Sequence, residues 1–242
     1  MINGLPALST FLDNLVNRQR RAGRCVACLA SSAHHGLCDG CHRDLPVNRW
    51  HCHRCALPLA FDGPQTECGE CLRWPPAINR SLVPWRYQYP VNAMISRYKD
   101  HGQRTWARPL LAGLAEHIRD TLPCEDRPDL LIPAPMHWQR RWSRGFNQAQ
   151  DIAEHLGGHL DIPVASALLR RRKKVSAQRG LDRHQRLANL AGVFEVTGPV
   201  PARVAIIDDV VTTGATARRM AEVLRVAGAR DIQVWALART PG

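Results

Sequence analysis

The segment "VAIIDDVVTTGATA", Val204 to Ala217, carries the strongest structural signal in the chain. Its first four residues are apolar and three of them are β-branched, which is typical of a buried strand. Asp208 and Asp209 follow directly, and after Val211 the residues are small and mostly hydroxylated. Apolar residues then recur at helical spacing until Gly228. The segment therefore predicts a strand, a tight turn and a helix in succession.

The chain around this segment alternates between strand and helix patterns. Strands are predicted for "DLLIPAPM", "RVAIIDD" and "DIQVWALA", and "RSLVPWRYQY" is predicted to be a strand or a hairpin. Helices are predicted for "VNAMISRYKD", "WARPLLAGLAEHIRDTL", "GFNQAQDIAEHLGGHL" and "TARRMAEVLRVAGA". This alternation indicates an α/β, Rossmann-like fold whose largely parallel sheet carries helices on both faces.

The position of the acidic doublet suggests a binding site. In parallel sheets, ligands bind beyond the carboxyl ends of the strands, which is where Asp208 and Asp209 are predicted to lie. The turn of Thr212, Thr213, Gly214, Ala215 and Thr216 leads into a helix, whose N-terminus attracts anions. Carboxylates suit sugar hydroxyls or hydrated Mg²⁺. The combination predicts a ribose 5-phosphate pocket, and the alternative is an ordinary strand, turn and helix with a hydrophilic tip.

The same segment resembles the ribose-phosphate signature of type I phosphoribosyltransferases. By that resemblance, Asp208 and Asp209 would be catalytic residues that hold the 2′- and 3′-hydroxyls of the ribose. The Thr212–Thr216 turn would hold the 5-phosphate. The cofactor implied is Mg²⁺, bound together with phosphoribosyl pyrophosphate.

Nearly the whole chain resembles the ComF family (competence protein F, also labelled GntX-like), which joins N-terminal cysteine knuckles to a phosphoribosyltransferase-type domain. The family element "RGFNQ" occurs at 144–148, and "SAQRGLDRHQRLANLAGVF" matches its loop rich in glutamine and arginine. The resemblance places the pyrophosphate loop at Ala134, Pro135 and Met136. It assigns a basic, flexible loop to Arg144, Gln178, Arg183 and Arg186.

Two functions are compatible with these features. The resemblance to ComF implies a competence protein for DNA uptake that binds phosphoribosyl pyrophosphate or a nucleotide 5-phosphate with Mg²⁺, and also single-stranded DNA, with the DNA-uptake machinery as a further partner. The alternative is an active phosphoribosyltransferase that transfers ribose 5-phosphate to a base. The sequence does not identify the acceptor. Many relatives recognise the base with a segment beyond the last strand, whereas only "RTPG" follows the last predicted strand here.

Positive charge is concentrated in one part of the chain. The formal net charge is +12, and residues 131–190 hold 11 lysines and arginines against 4 acidic residues. Arg140, Arg141 and Trp142 combine phosphate contacts with a stacking face, as proteins that bind single strands do. These residues are our candidate DNA-binding group, and the alternative is a basic loop with partly buried tryptophans.

Eight of the nine cysteines form four C-x-x-C pairs. The pairs are Cys25/Cys28, Cys38/Cys41, Cys52/Cys55 and Cys68/Cys71, and Cys124 stands apart. Such knuckles provide thiolate ligands for zinc, and two knuckles complete a tetrahedral site. We predict two structural Zn²⁺ sites in tandem ribbons, with a cross-braced pairing as the alternative. A disulfide framework is disfavoured because the chain shows no export signal.

The remaining patterns divide the chain into three parts. We predict an N-terminal helix within residues 1–24, a double zinc ribbon at 25–75 and a phosphoribosyltransferase-like domain at 78–242, after the Pro-rich junction "RWPPA". No apolar stretch approaches the roughly 20 residues that cross a bilayer. We therefore expect a cytoplasmic protein without membrane insertion.

Overall fold

The computed structural model describes residues 23–31, 33, 35–61, 63, 66–101, 103–136, 145–171 and 193–241. The predicted N-terminal helix lies almost wholly outside these residues. The predicted boundaries of the three parts are not decided by the described residues and stay a prediction.

A five-stranded parallel sheet forms the centre of the molecule. The strands are β1 (Arg80–Leu82), β2 (Trp85–Arg86), β3 (Leu130–Pro133), β6 (Arg203–Val211) and β7 (Asp231–Arg239). Their order is β1-β7-β6-β3, with β2 also paired to β7, and each described pairing is parallel. A separate antiparallel pair joins β4 (Leu169–Arg171) to β5 (Phe194–Val196). The sequence patterns did not predict this pair, which flanks residues 172–192.

Helices cover both faces of the sheet. The two short helices of the cysteine-rich segment are α1 (Asp39–Arg43) and α2 (Gly69–Arg73), and the longer ones are α3 (Val91–His101), α4 (Arg104–Thr121), α5 (Gln148–Leu160) and α6 (Ala215–Val226). On β6, Ala205 and Ile207 pack into the core formed with α3, α4 and α5, while Val204 and Ile206 pack into the core formed with α6. This alternation confirms the predicted α/β class. Within the described part of the chain, no helix has both the length and the hydrophobicity needed to span a membrane.

The segment "RSLVPWRYQY" is not a hairpin, because β1 and β2 both run parallel to β7. They form one edge strand that is interrupted at Val83 and Pro84. Proline has no N–H to donate to a neighbouring strand, and the carbonyl of Pro84 instead accepts from the backbone of Asn48. The strand alternative is therefore correct, with a break that the proline explains.

The cysteine-rich segment packs directly onto the sheet and helices. Val47 pairs with Trp85 in an antiparallel bridge, and the buried side chain of Asn48 donates to the carbonyls of Ala56 and Val83. Leu37 and Leu45 are buried in the same core as α4. The segment has few apolar residues for a core of its own, and those residues are part of the core of the larger unit.

Two adjacent glycines of α5 provide a test of how this helix packs against the residues that follow it. A Cβ on Gly157 would lie 2.8 Å from the carbonyl oxygen of Ile162 and 2.8 Å from Cγ2 of Val164. We expect Gly157→Ala to lower the free energy of unfolding by about 1–3 kcal/mol, because a backbone oxygen cannot move aside freely. Urea denaturation followed by circular dichroism measures the change.

The matched control is Gly158→Ala, whose Cβ would meet no described atom within 4 Å. Alanine reduces the conformational entropy of the unfolded chain, so this variant should gain about 0.5–1 kcal/mol. Equal effects of the two substitutions would contradict the packing of α5 described above.

Candidate functional site

A crevice of about 310 Å³ opens at the carboxyl ends of β3 and β6. Both predicted catalytic carboxylates and the predicted pyrophosphate loop line it, which brings together residues that lie more than seventy positions apart. The lining residues from these segments are Ala134, Pro135, Met136, Asp208, Asp209, Thr212 and Thr216. The crevice therefore collects three of the predicted site elements at one edge of the sheet.

The two carboxylates lie near the end of β6, although the strand continues past them to Val211. The Nζ atom of Lys99, on α3, lies 2.9 Å from Oδ2 of Asp209, and the two side chains are only 18% and 15% exposed. The backbone N–H of Asp209 donates to Oδ1 of Asp208 at 2.8 Å. The acidic pair is thus partly shielded from water and is balanced by one ammonium group.

The turn after β6 has the geometry of an anion-binding loop. Gly214 is the N-cap of α6 and has a φ of 76°, a left-handed conformation that glycine adopts without strain. Thr212, Thr213 and Thr216 are exposed, so their hydroxyls are accessible, and α6 begins directly after Gly214. The hydroxyl of Thr213 accepts from the N–H of Ala215 at 3.4 Å. The turn can therefore present backbone donors and hydroxyls to a phosphate.

The predicted pyrophosphate loop is joined to the start of α5. Asn147 is the N-cap of α5: its side-chain oxygen accepts from the N–H of Ala149 and its Nδ2 donates to the carbonyl of Ala134, each at 3.2 Å. Gln148 is fully buried and lines the crevice. Its side-chain oxygen has no hydrogen-bond partner among the described residues. This edge of the crevice therefore contains an unused acceptor beside a helix N-terminus.

Several predicted site residues lie outside the described residues. They are the candidate DNA-binding group Arg140, Arg141 and Trp142 and the loop residues Arg144, Gln178, Arg183 and Arg186. Their roles stay predictions.

The structure also adds residues to the site that the sequence patterns did not identify. Lys99, Tyr87 and Arg171 line the crevice together with the acidic pair. Gln148 was visible in the sequence as part of "RGFNQ", but without a role. A lysine among polar residues of an amphipathic helix has no distinctive sequence signal, so only the packing of α3 against the crevice reveals Lys99.

The eight paired cysteines form two clusters, in sequential rather than cross-braced pairing. Cys25, Cys28, Cys38 and Cys41 form the first cluster, and Cys52, Cys55, Cys68 and Cys71 form the second. Within each cluster the Sγ atoms all lie within 4.8 Å of one another. Four converging thiols are the ligand set of a tetrahedral metal site, so each cluster could hold one metal ion.

The electrostatics of the thiols agree with such a site. Hydrogen bonds from the thiols of Cys55 and Cys71 hold the pKa of Cys52 below its ordinary value. Burial acts to raise the pKa of Cys25, but backbone hydrogen bonds outweigh it and lower this pKa to about 6. Hydrogen bonds between the thiols raise the pKa of Cys41, Cys55 and Cys71, so within each cluster one thiol loses its proton before the others and takes the form that metals bind.

Comparison with known proteins identifies the family. The chain is 34% identical over 224 residues to "Competence protein F" of Haemophilus influenzae, a match that covers 89% of this chain and 96% of that protein. The chain belongs to the competence protein F family. A second relative is the "DNA utilization protein YhgH" of Escherichia coli K12, 33% identical over 225 residues, with 90% of this chain and 97% of that protein covered. The resemblance drawn from the sequence is therefore confirmed.

Solved structures give more distant similarities. A purine phosphoribosyltransferase from Pyrococcus horikoshii aligns with 54% of this chain and 71% of its own, at 22% identity and a TM-score of 0.36. An orotate phosphoribosyltransferase from Aeropyrum pernix aligns with 58% of this chain and 75% of its own, at 17% identity and a TM-score of 0.35. No protein-family model matches the chain.

The burial of the acidic pair generates a pH prediction. Burial, together with the neighbouring carboxylate of Asp209, raises the pKa of Asp208 from 3.8 to about 7, and the ammonium of Lys99 opposes this rise. Carbon-13 NMR of the aspartate carboxyl groups should therefore show one titration near pH 7. Lys99→Met should move that midpoint higher still, because the opposing charge is removed.

The same proton links stability to pH. Between about pH 4 and pH 7, native Asp208 retains a proton that the unfolded chain has lost. The free energy of unfolding should therefore decrease as the pH rises through this interval and level off above it. Asp208→Asn should remove this contribution. A carboxyl midpoint near pH 4 for Asp208 would contradict the arrangement.

Proposed function

We propose that this chain binds the ribose 5-phosphate group of phosphoribosyl pyrophosphate, or of a nucleotide, together with Mg²⁺ in the crevice, and that it acts in DNA utilisation. The observation that carries the proposal is the joint lining of one crevice by Asp208, Asp209 and two residues of the turn, Thr212 and Thr216. The relatives named for competence and DNA utilisation support the biological context.

The chemistry of the crevice supports this ligand class. Carboxylates accept hydrogen bonds from the two ribose hydroxyls, and the helix N-terminus at Gly214 provides N–H donors for a dianionic phosphate. Lys99 and Arg171 provide positive charge for the diphosphate.

The acidic pair also suits Mg²⁺, which prefers oxygen ligands and retains several of its waters. Asp208 and Asp209 would hold the ion beside the sugar, where it would offset the charge of a diphosphate. Because burial keeps Asp208 protonated below about pH 7, we expect binding of Mg²⁺ to improve as the pH rises through that value.

For the cysteine clusters we propose structural zinc, one ion in each. All four ligands of each cluster are thiols, which favours zinc over magnesium or calcium. Four protein ligands also leave no open coordination position, which is typical of a structural site rather than a catalytic one.

Calorimetric titration tests the crevice. Phosphoribosyl pyrophosphate should bind in the presence of Mg²⁺, and ribose 5-phosphate should bind more weakly to the same site. At pH 8, above the pKa of Asp208, the double variant Asp208→Asn with Asp209→Asn should bind phosphoribosyl pyrophosphate at least about 100-fold more weakly, because two charged hydrogen-bond acceptors are lost.

The matched control is Asp161→Asn. Asp161 is exposed at the C-terminus of α5 with a φ of 56°, a conformation that asparagine tolerates well. It should leave the affinity unchanged. Undiminished binding in the double variant would rule out the crevice as the ribose-phosphate site.

An active phosphoribosyltransferase is the second candidate function. The acidic pair, the basic residues and the loop at Ala134–Met136 are the groups that such a transfer would use. Asp208 and Asp209 would stabilise positive charge at the anomeric carbon, and Lys99 would neutralise the leaving diphosphate. Release of pyrophosphate in the presence of a free base distinguishes this enzyme from a protein that only binds the ligand.

We also propose that the chain binds single-stranded DNA. The support consists of the excess of positive charge in residues 131–190 and the relatives named for DNA utilisation. Arg140 and Arg141 are placed by sequence beside Trp142, a combination suited to phosphate contacts and base stacking.

Fluorescence anisotropy with a labelled single strand at several salt concentrations tests this role. Arg140→Ala with Arg141→Ala should weaken binding and reduce the slope of log K against log salt by about 1.4, or roughly 0.7 for each lost phosphate contact. The control pair Arg119→Ala with Arg230→Ala changes two exposed arginines elsewhere. An identical salt slope in both pairs would exclude Arg140 and Arg141 from the contact.

A further inference from the structure

Two arginines connect the second cysteine cluster to the Thr212–Thr216 turn, the proposed phosphate-binding turn, which we call the phosphate turn. Arg239, at the end of β7, is only 4% exposed, and Arg218, in the first turns of α6, has a side chain that is 17% exposed. Neither residue belongs to the ribose-phosphate signature or to the cysteine knuckles. Their contacts show what they do.

Arg239 joins the first knuckle of the second cluster to the start of the turn. Its Nε donates to the carbonyl of Cys55 at 3.1 Å. Its Nη1 donates to the carbonyl of Thr212 and, at 3.3 Å, to that of Val211. Thr240 reinforces the same point, since its hydroxyl donates to the carbonyl of Thr212 at 3.1 Å. One buried guanidinium therefore holds both the Cys52/Cys55 knuckle and Thr212, the residue at which the turn begins.

Arg218 joins the second knuckle of the same cluster to the helix that follows the turn. Its Nη2 donates to Sγ of Cys71 at 3.2 Å, and its Nη1 donates to the carbonyl of Trp74 at 2.7 Å. The backbone N–H of Arg218 bonds to the carbonyl of Gly214, the N-cap of α6. The phosphate turn is therefore attached to the second cluster from both of its ends.

The positive charge of the two arginines would favour both a metal-thiolate cluster and a bound anion. Four thiolates with one Zn²⁺ carry a net charge of about −2. Arg218 donates directly to one of these sulfurs, and such contacts around the ligands raise metal affinity. Among the described residues, Arg239 donates to no carboxylate: its acceptors are carbonyl and hydroxyl oxygens. Its positive charge therefore remains available both to the thiolate cluster and to an anion at the turn.

The first cluster lacks this connection. It packs against α4, where Pro109 lies 3.3 Å from the position that a Cβ on Gly36 would occupy. Within the part of the chain that the structure describes, no arginine donates to a thiol of the first cluster. The two clusters therefore differ in their relation to the crevice, and the first serves as an internal control.

We propose that Arg218 and Arg239 couple metal binding at the second cluster to phosphate binding at the Thr212–Thr216 turn, so that each strengthens the other. The proposal rests on the function proposed above for the crevice and the clusters. Metal at Cys55 and Cys71 fixes the acceptors of both arginines, and the arginines in turn fix the turn whose N–H groups meet the phosphate. Coupling between two binding sites is reciprocal, so a bound phosphate also retains the metal.

Zinc release to a chelating dye, 4-(2-pyridylazo)resorcinol, tests the coupling in the full chain. We expect two zinc ions per chain, released in two phases, and Cys25→Ser with Cys28→Ser identifies the phase of the first cluster. Saturating ribose 5-phosphate should slow release from the second cluster by at least about five-fold, the lower end of typical coupling. Release from the first cluster should not change.

Lysine variants test whether the coupling needs the hydrogen bonds of the arginines and not only their positive charge. Arg218→Lys and Arg239→Lys retain the charge but not the forked set of donors, and each should reduce the slowing to less than about two-fold. Arg225→Lys is the matched control: Arg225 is also on α6 and donates to the carbonyl of Ala77 and the side chain of Asn79, away from the cluster. It should retain the full effect. If circular dichroism shows that Arg239→Lys is unfolded, the partly exposed Arg218→Lys decides alone.

The outcomes distinguish this proposal from the one on which it rests. Failure of ribose 5-phosphate to bind, or fewer than two zinc ions per chain, overturns the proposed function and the coupling with it. Two zinc ions and bound ribose 5-phosphate, with equal release rates in its presence and absence, overturn the coupling alone. Slowing that persists in both lysine variants also overturns it.

Discussion

The parallel pairing of β6 with β7 positions the acidic pair, Arg239 and the start of the turn at Thr212. Its register sets Asp208 opposite Ala236 and Val211 opposite Arg239. Because the two strands end together, the acidic pair, the start of the phosphate turn and the buried guanidinium meet at one edge of the sheet. Both strands are buried on both faces, so a slip of one residue would exchange the side chains of the two cores. Such a slip would also move the acidic pair relative to the end of β7, so the position of the site depends on this register.

The crevice concentrates charge in a partly dehydrated place. Burial of Asp208 is the main reason that its pKa is raised, and repulsion by the neighbouring carboxylate of Asp209 adds to it, so Asp208 retains its proton near neutral pH. The ammonium of Lys99 reduces this repulsion, and a divalent cation would reduce it further. The strain in this arrangement is electrostatic, and it favours ligands that bring positive charge or hydrogen-bond donors to the pair.

The cysteine-rich segment is a part of the larger unit rather than an appendage. Its apolar residues share the core with α4, and its second cluster contacts the helix and strand that flank the phosphate turn. A segment with few apolar residues gains order in this way from the surface of the sheet, and the proposed zinc ions would be a second source. Loss of either source would therefore affect the crevice as well as the clusters.

The sequence alone determined the strand, turn and helix at Val204–Ala217, the acidic doublet and the four cysteine pairs, because each depends on residues that are close along the chain. It also gave the α/β class and the family. It left the strand or hairpin at "RSLVPWRYQY" and the pairing of the cysteine knuckles open, and it did not reveal β4 and β5. Only the tertiary structure brought Lys99 to Asp209 and joined Arg239 to Cys55, a residue 184 positions away. Such contacts depend on how helices and strands pack, and no local pattern records them.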